Sequence, residues 1–211
     1  MKKIIFNNKI IGLTPDELAI FAKLTSPEKI QTFVSAIPHN FERNGDSCMS
    51  VREVLAKRRA HCIEGAIVAA LALWVHGERP LLMDLVAGGG DFDHVVTLFK
   101  RNGCWGAISK GNLAYTLYRD PVYRTLRELA MSYFHEYYDL RGKKTLREYS
   151  LPFDIRKYKS EDWITGVDAW RLAEDIGSVR HFPLVTQHQV SSLRGIDEIE
   201  RKVAKITEFK K

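Results

Sequence analysis

Eleven consecutive uncharged residues, Gly65 to Val75, constrain the fold of this chain more than any other segment. A helix on the surface would show a polar stripe, so a run apolar on every side predicts a helix buried all round. It is little more than half of the ~20 residues that a bilayer span needs, which places it at the centre of a folded core. Cys62 stands at the head of this run. A thiol at a helix N-terminus sees the positive end of the helix dipole, which favours thiolate. Buried cysteines are commonly inert, so chemistry requires a base within reach.

His94 opens an apolar, strand-like run 32 positions later. That run continues to Arg101, followed by Asn102-Gly103 and then Cys104-Trp-Gly-Ala-Ile-Ser109. Asn-Gly between two apolar runs predicts a hairpin with a two-residue turn. Such a turn pairs Arg101 with Cys104, Val96 with Ser109 and His94 with Gly111, so His94, Val96, Trp105 and Ser109 share a face. Ser109 becomes the diagonal neighbour of His94, close enough to orient its ring directly or through one water. Leu81–Ala87 reads as a strand broken by Gly88-Gly-Gly90, and Asp84 on it is the fallback for orienting His94. Trp105 and Asn112 are supporting candidates, although Asn112 has the wrong parity to share the His94 face.

These residues resemble the transglutaminase-like core, a branch of the papain-like cysteine enzymes. The likeness spans about residues 50 to 112: a helix-borne Cys, a strand ending near a Gly-rich loop, a His that starts a strand, and a hairpin with a Gly/Trp pattern before the third triad residue. The motif Cys maps to Cys62 and the His to His94, while the position four after the hairpin Trp, normally Asp, is Ser109. His-Cys-Ile-Glu-Gly-Ala, Asp-His-Val-Val, Trp-Gly-Ala-Ile-Ser-Lys and Arg-Glu-Leu-Ala-Met-Ser-Tyr-Phe-His-Glu are similar to a bacterial subgroup of that superfamily. The resemblance implies an α+β papain/transglutaminase-like fold, in which a central Cys-bearing helix packs on an antiparallel sheet.

At 211 residues, with no linker-like stretch, the chain reads as a single domain over 1–211, its core about 50–112 and its helical extensions 14–38 and 120–211. Three cysteines without paired spacing suit a reducing compartment, and the apolar run after Met1-Lys-Lys3 stops too early for a signal peptide. A cytoplasmic protein is expected, with no membrane partner. The formal charge of +6 is spread along the chain, and no nucleic-acid motif accompanies its clusters at Lys57–Arg59 and Arg141–Lys144. This argues against nucleic acid as the partner, and leaves Lys57–Arg59 as a solvated helix end or a steering patch before Cys62.

Strands over 3–6 and 9–12 would form a small hairpin. Thr14-Pro15, Ser26-Pro27 and Ser50-Val-Arg-Glu53 are helix starts. Asp120-Pro121 is expected to start a helix lined by Val122, Leu126, Leu129, Tyr133 and Tyr137, with His135 on its outer face. Residues 140–165 read as irregular, anchored by Pro152 and Trp163, and Asp168–Ile176 as helical. Ile196, Ile199, Val203 and Ile206 form a heptad-like stripe that docks on the body.

The chemistry this predicts is acyl transfer. Cys62 thiolate attacks an amide or ester carbonyl, His94 protonates the leaving group, and the Cys62 backbone N–H supplies one oxyanion donor. Hydrolysis of a peptide or protein substrate is expected over cross-linking, because a basic surface repels a lysine amine. The competing reading is a non-catalytic domain that binds a partner through the same cleft, since a neutral Ser109 stabilises imidazolium less than Asp does. An Asp at position 109 is accordingly expected to be tolerated or to raise reactivity. Side chains of helix neighbours diverge by about 100°, which counts against His61 as a base for Cys62 and reads it as a loop or first-turn residue. Glu64 reads as a structural first-turn carboxylate. Asp91 and Asp93 lack any metal-ligand spacing with Cys62, so neither metal nor cofactor is expected.

Overall fold

The computed structural model describes residues 12–113 and 116–210. Helices α1 (Pro15–Lys23), α2 (Pro27–Ala36) and α3 (Val51–Lys57) start where their caps dictate. The Thr14 hydroxyl accepts from Glu17 N while the Glu17 carboxylate accepts from Thr14 N, and Ser26 and Ser50 accept from Lys29 N and Glu53 N. Helix α4 (Cys62–Val75) carries the uncharged run, and every residue from Ile63 to Leu73 is buried. The hairpin read over 3–6 and 9–12 lies outside the described residues, apart from Gly12.

Seven strands, β1 (Leu81–Ala87), β2 (His94–Arg101), β3 (Cys104–Ser109), β4 (Arg119–Tyr123), β5 (Leu146–Ser150), β6 (Phe153–Asp154) and β7 (His181–Pro183), form one sheet in which every pairing is antiparallel. Its order is β4-β3-β2-β1-β5-β7, with β6 also pairing β1. The fold is α+β. Asn102 (φ 50°) and Gly103 (φ 82°) both take positive φ, as the tight hairpin turn requires, and the register sets Arg101 opposite Cys104 and Val96 opposite Ser109. The β2–β3 ladder ends there, so His94 is paired across β1 with Leu85 rather than with Gly111.

Two apolar cores lie on the two faces of this sheet. One packs α4 with α1–α3 against Leu82, Val95, Phe99 and Ile108, closed by Trp163, which is fully buried and stacks on Trp74 at 6.0 Å. The other packs Met83, Leu85, Val96, Leu98 and Ala107 against Leu129, Tyr133, Phe134 and Tyr137. Burying α4 all round thus takes helices on one side and sheet on the other, which is why it carries no polar face.

The segment after the hairpin differs from its sequence reading. Residues 119–123 are strand β4, and α5 (Leu126–Met131) starts at Thr125, whose capping box with Glu128 outcompetes the Asp-Pro signal. Pro121 is accommodated because β4 is an edge strand and needs no ladder N–H at that position. Tyr133 and Tyr137 are indeed core residues, but they flank a 3-10 turn, Phe134–Glu136, instead of continuing a helix. The stretch read as irregular contains β5, which joins the sheet beside β1 although its sequence, Leu-Arg-Glu-Tyr-Ser, has little strand character.

Helix α6 (Trp170–Ser178) buries Leu172 and Ile176, while α7 (Gln187–Ser192) buries nothing. The stripe near the C-terminus does not dock as expected. Ile196 is buried, but Ile199, Val203 and Ile206 around α8 (Glu198–Val203) are exposed, and hydrogen bonds hold the segment: Ile196 N donates to Gly142 O and the Tyr138 hydroxyl to Glu200 O. Among the described residues no helix is long and apolar enough to cross a membrane.

Candidate active site

Cys62 occupies the first position of α4, half-buried, on a cavity of about 470 Å³ also lined by His39, His61, His94, Phe92 and Tyr137. First-turn N–H groups have no carbonyl partner inside their helix, so the Cys62 backbone is chemically suited to donate to an oxyanion. The start of α4 is tied to the sheet by Thr97, whose hydroxyl donates to Ala66 O at 2.6 Å. Gly65 lets the strand come this close: a Cβ there would collide with the Cβ and Cγ of Lys110.

His94 and Ser109 meet as the hairpin register requires, with Nε2 and Oγ 2.7 Å apart in a buried contact. Ser109 Oγ also donates its only proton to Thr116 O at 2.7 Å. It must therefore accept from His94, which puts the ring proton on Nε2 and leaves Nδ1 as the lone pair of the neutral ring. Gln31 of α2 fixes Ser109 itself, its amide accepting from Ser109 N at 2.9 Å and donating to Ser109 O at 2.8 Å. Serine suits this position because its second partner is an acceptor. An Asp would set carboxylate lone pairs against Thr116 O, which reverses the expectation that Asp is well tolerated here.

The remaining candidates stand elsewhere. Asp84 is bound to His181, Oδ2 to Nε2 at 3.2 Å, and burial, with Asp93 adding, pushes its carboxyl up against the pull of that histidine. It does not orient His94. Trp105 pairs with Lys100 near the turn, at the opposite end of β3 from Ser109, and does not line the cavity. Asn112 does line it, but its amide grips the chain near the C-terminus, donating to Phe209 O at 3.0 Å and accepting from Phe209 N at 2.8 Å. Lys110 is buried too, with its ammonium on Ile37 O at 2.5 Å and beneath the Phe209 ring, and burial lowers its pKa to about 8. Asp91 and Asp93 brace the loop after the glycines, accepting from the Thr145 hydroxyl and from Ala87 N. No cluster of three metal-ligating side chains exists among the described residues.

His61 corrects the sequence reading most sharply. It is the N-cap of α4, with extended dihedrals (φ −98°, ψ −167°), so the helical divergence of neighbours does not apply to it. Its Nδ1 lies 3.9 Å from Cys62 Sγ, and its Nε2 donates to Ser47 O at 2.8 Å. Behind it Glu64, fully buried, accepts from His61 N, Met49 N, the Ser47 hydroxyl and the Asn40 amide. Burial alone would raise the Cys62 pKa, but hydrogen bonds and charge from His61 and His94 outweigh it and bring the thiol down to about 5. Burial likewise disfavours charge on His61, yet Cys62, Glu64 and Ser47 lift it to about 9. The sequence signal was Glu64 three residues on: a residue tied by its backbone N–H to that carboxylate is held outside the helix.

No family model matches the chain, and no curated protein is significantly similar to it.

Proposed function

We propose that this protein is a thiol-dependent acyl-transfer enzyme of the papain/transglutaminase-like kind, hydrolysing an amide or peptide bond through a thioester on Cys62. Supporting the reading above all is Cys62 at a helix start with its pKa near 5, on the same cavity as a histidine whose far nitrogen is fixed by Ser109 and Thr116. The thiolate forms a C–S bond to the carbonyl carbon, and the Cys62 N–H steadies the oxyanion. As the C–N bond breaks, an imidazolium beside the sulfur protonates the departing nitrogen. Water then gives a proton to His94 Nδ1, and its oxygen displaces the sulfur, leaving acid and thiolate.

The charge argument against a lysine acceptor does not extend to the cavity, where Glu42, Asp91 and Asp93 contribute acids. Water remains the proposed acceptor because it needs no second seat. The neutral Ser109 favours the alternative of a non-catalytic domain that binds a peptide or protein partner in this cleft. Glutamine-containing peptides offered with a fluorescent amine separate the readings. Released ammonia without label supports hydrolysis, Cys62-dependent labelling replaces it with transfer, and no product in either channel across varied peptides favours the binder.

A further inference from the structure

Two imidazoles act on one sulfur, and their surroundings differ. The His61 ring has its Nε2–H on Ser47 O at 2.8 Å and faces two carboxylates, Glu64 Oε1 at 3.4 Å and Glu42 Oε1 at 3.7 Å. Its Nδ1 is the ring nitrogen whose contact with Sγ is within hydrogen-bonding range for sulfur, at 3.9 Å. His94 instead has a hydroxyl behind it, and that hydroxyl leads to a carbonyl rather than to an acid. Two carboxylates stabilise an imidazolium far better than a neutral hydroxyl does.

We propose that His61 is a catalytic residue: its ring, rather than that of His94, holds the Cys62 thiolate as an ion pair, with Glu64 positioning it from behind, while His94 exchanges protons with water. The assignment rests on the acyl-transfer reading of this site. In the resting enzyme the Sγ–H bond breaks and an Nδ1–H bond forms on His61, while Nε2–H stays on Ser47 O, so the pair remains neutral overall. His61 then supplies the proton for the departing nitrogen, and the proton that His94 takes from water returns to His61 to reset the site. The other titratable groups acting on the pair are His39, which acts on the His61 ring, and Cys48, Asp84 and Tyr137, which act on the sulfur. Between about 5 and about 9 both members of the pair carry charge, as it requires. This also explains how the site dispenses with an Asp at position 109: the carboxylate stands behind the other histidine.

The test is the pH dependence of Cys62 alkylation by iodoacetamide, read by peptide mapping in wild type, His61→Gln and His94→Gln. Gln at 61 can still donate to Ser47 O but cannot carry the charge. His61→Gln is expected to raise the midpoint by about two pH units, roughly a tenfold loss of thiolate at pH 6, and His94→Gln to raise it less. A larger shift in His94→Gln, or none in His61→Gln, overturns the assignment. Should His61→Gln not fold, imidazole NMR titration of wild type against Cys62→Ala decides: the His61 value falls when the thiolate is removed if the pair exists, and an unchanged value refutes it. Neither measurement needs a substrate, so the pairing can fail while turnover persists, and can hold where no turnover is found.

Discussion

Burial pushes upward on both Cys48 and Cys62, yet the two thiols are driven in opposite directions. Cys48 is 2% exposed, and burial, reinforced by the charges of Glu64 and Cys62, pushes it up to about 12. Burial pushes Cys62 up too, but two histidines beside it bring it down to about 5. Burial supplies the low dielectric in which charge interactions are strong, and the partner decides their sign. A thiol in a core is inert by default and becomes a nucleophile only where cations are built against it.

The comparison breaks most simply by deletion. Cys62→Ala is expected to abolish acyl transfer and native-state alkylation at pH 6, whereas Cys48→Ala leaves both in place, as activity assays and peptide mapping will show. Label on Cys48 or Cys104 in the folded protein at that pH would undo the contrast.

Glu64 sharpens it. Its carboxylate is fully buried and accepts from two backbone N–H groups, a hydroxyl and an amide. Glu64→Gln replaces an acceptor by a donor in that shell and should cost about 2–4 kcal/mol in denaturant unfolding, with a raised midpoint for Cys62 alkylation. Loss of stability without any change in alkylation would reduce Glu64 to a fold residue.

Ser109 gives a smaller effect. Ser109→Ala removes one hydrogen bond to the His94 ring and should slow turnover about tenfold while leaving substrate KM unchanged. Ser109→Asp should destabilise the protein by about 1–3 kcal/mol, because Thr116 O loses its donor and meets a carboxylate. A stable, faster Ser109→Asp enzyme would show that Thr116 can move aside.

The smallest expected effect is on stability against pH. The Cys62 value is lowered on folding, so its thiolate stabilises the fold at high pH and that contribution is lost as pH falls through about 5. The His61 value is raised, so its imidazolium stabilises the fold at low pH and loses that contribution as pH rises through about 9. The difference in unfolding free energy between wild type and Cys62→Ala should therefore be largest between these limits. A difference independent of pH would mean that no ion pair forms.

What the sequence made legible were features set by local chemistry. Asn102-Gly103 dictated the turn, the turn dictated the register, and the register brought Ser109 to His94. The uncharged run located α4 and, with it, Cys62. Less legible were relations between distant segments: Gln31 holds Ser109 across 78 positions, and β5 owes its conformation to β1 and β7 more than to its own residues. His61 was misread for a different reason. Helical geometry was applied to a residue whose cap dihedrals lie outside the helix, and the Glu64 bond that places it there is one of several converging on a buried carboxylate.

The central claim, a thioester on Cys62, is tested most directly by mixing the protein with an activated acyl donor such as a p-nitrophenyl ester, quenching in acid, and mapping the adduct by mass spectrometry. An acyl group on Cys62 that decays on continued incubation, and that persists longer in His94→Gln, is the predicted result. An adduct that never forms on Cys62, or forms equally in unfolded protein, would contradict the account.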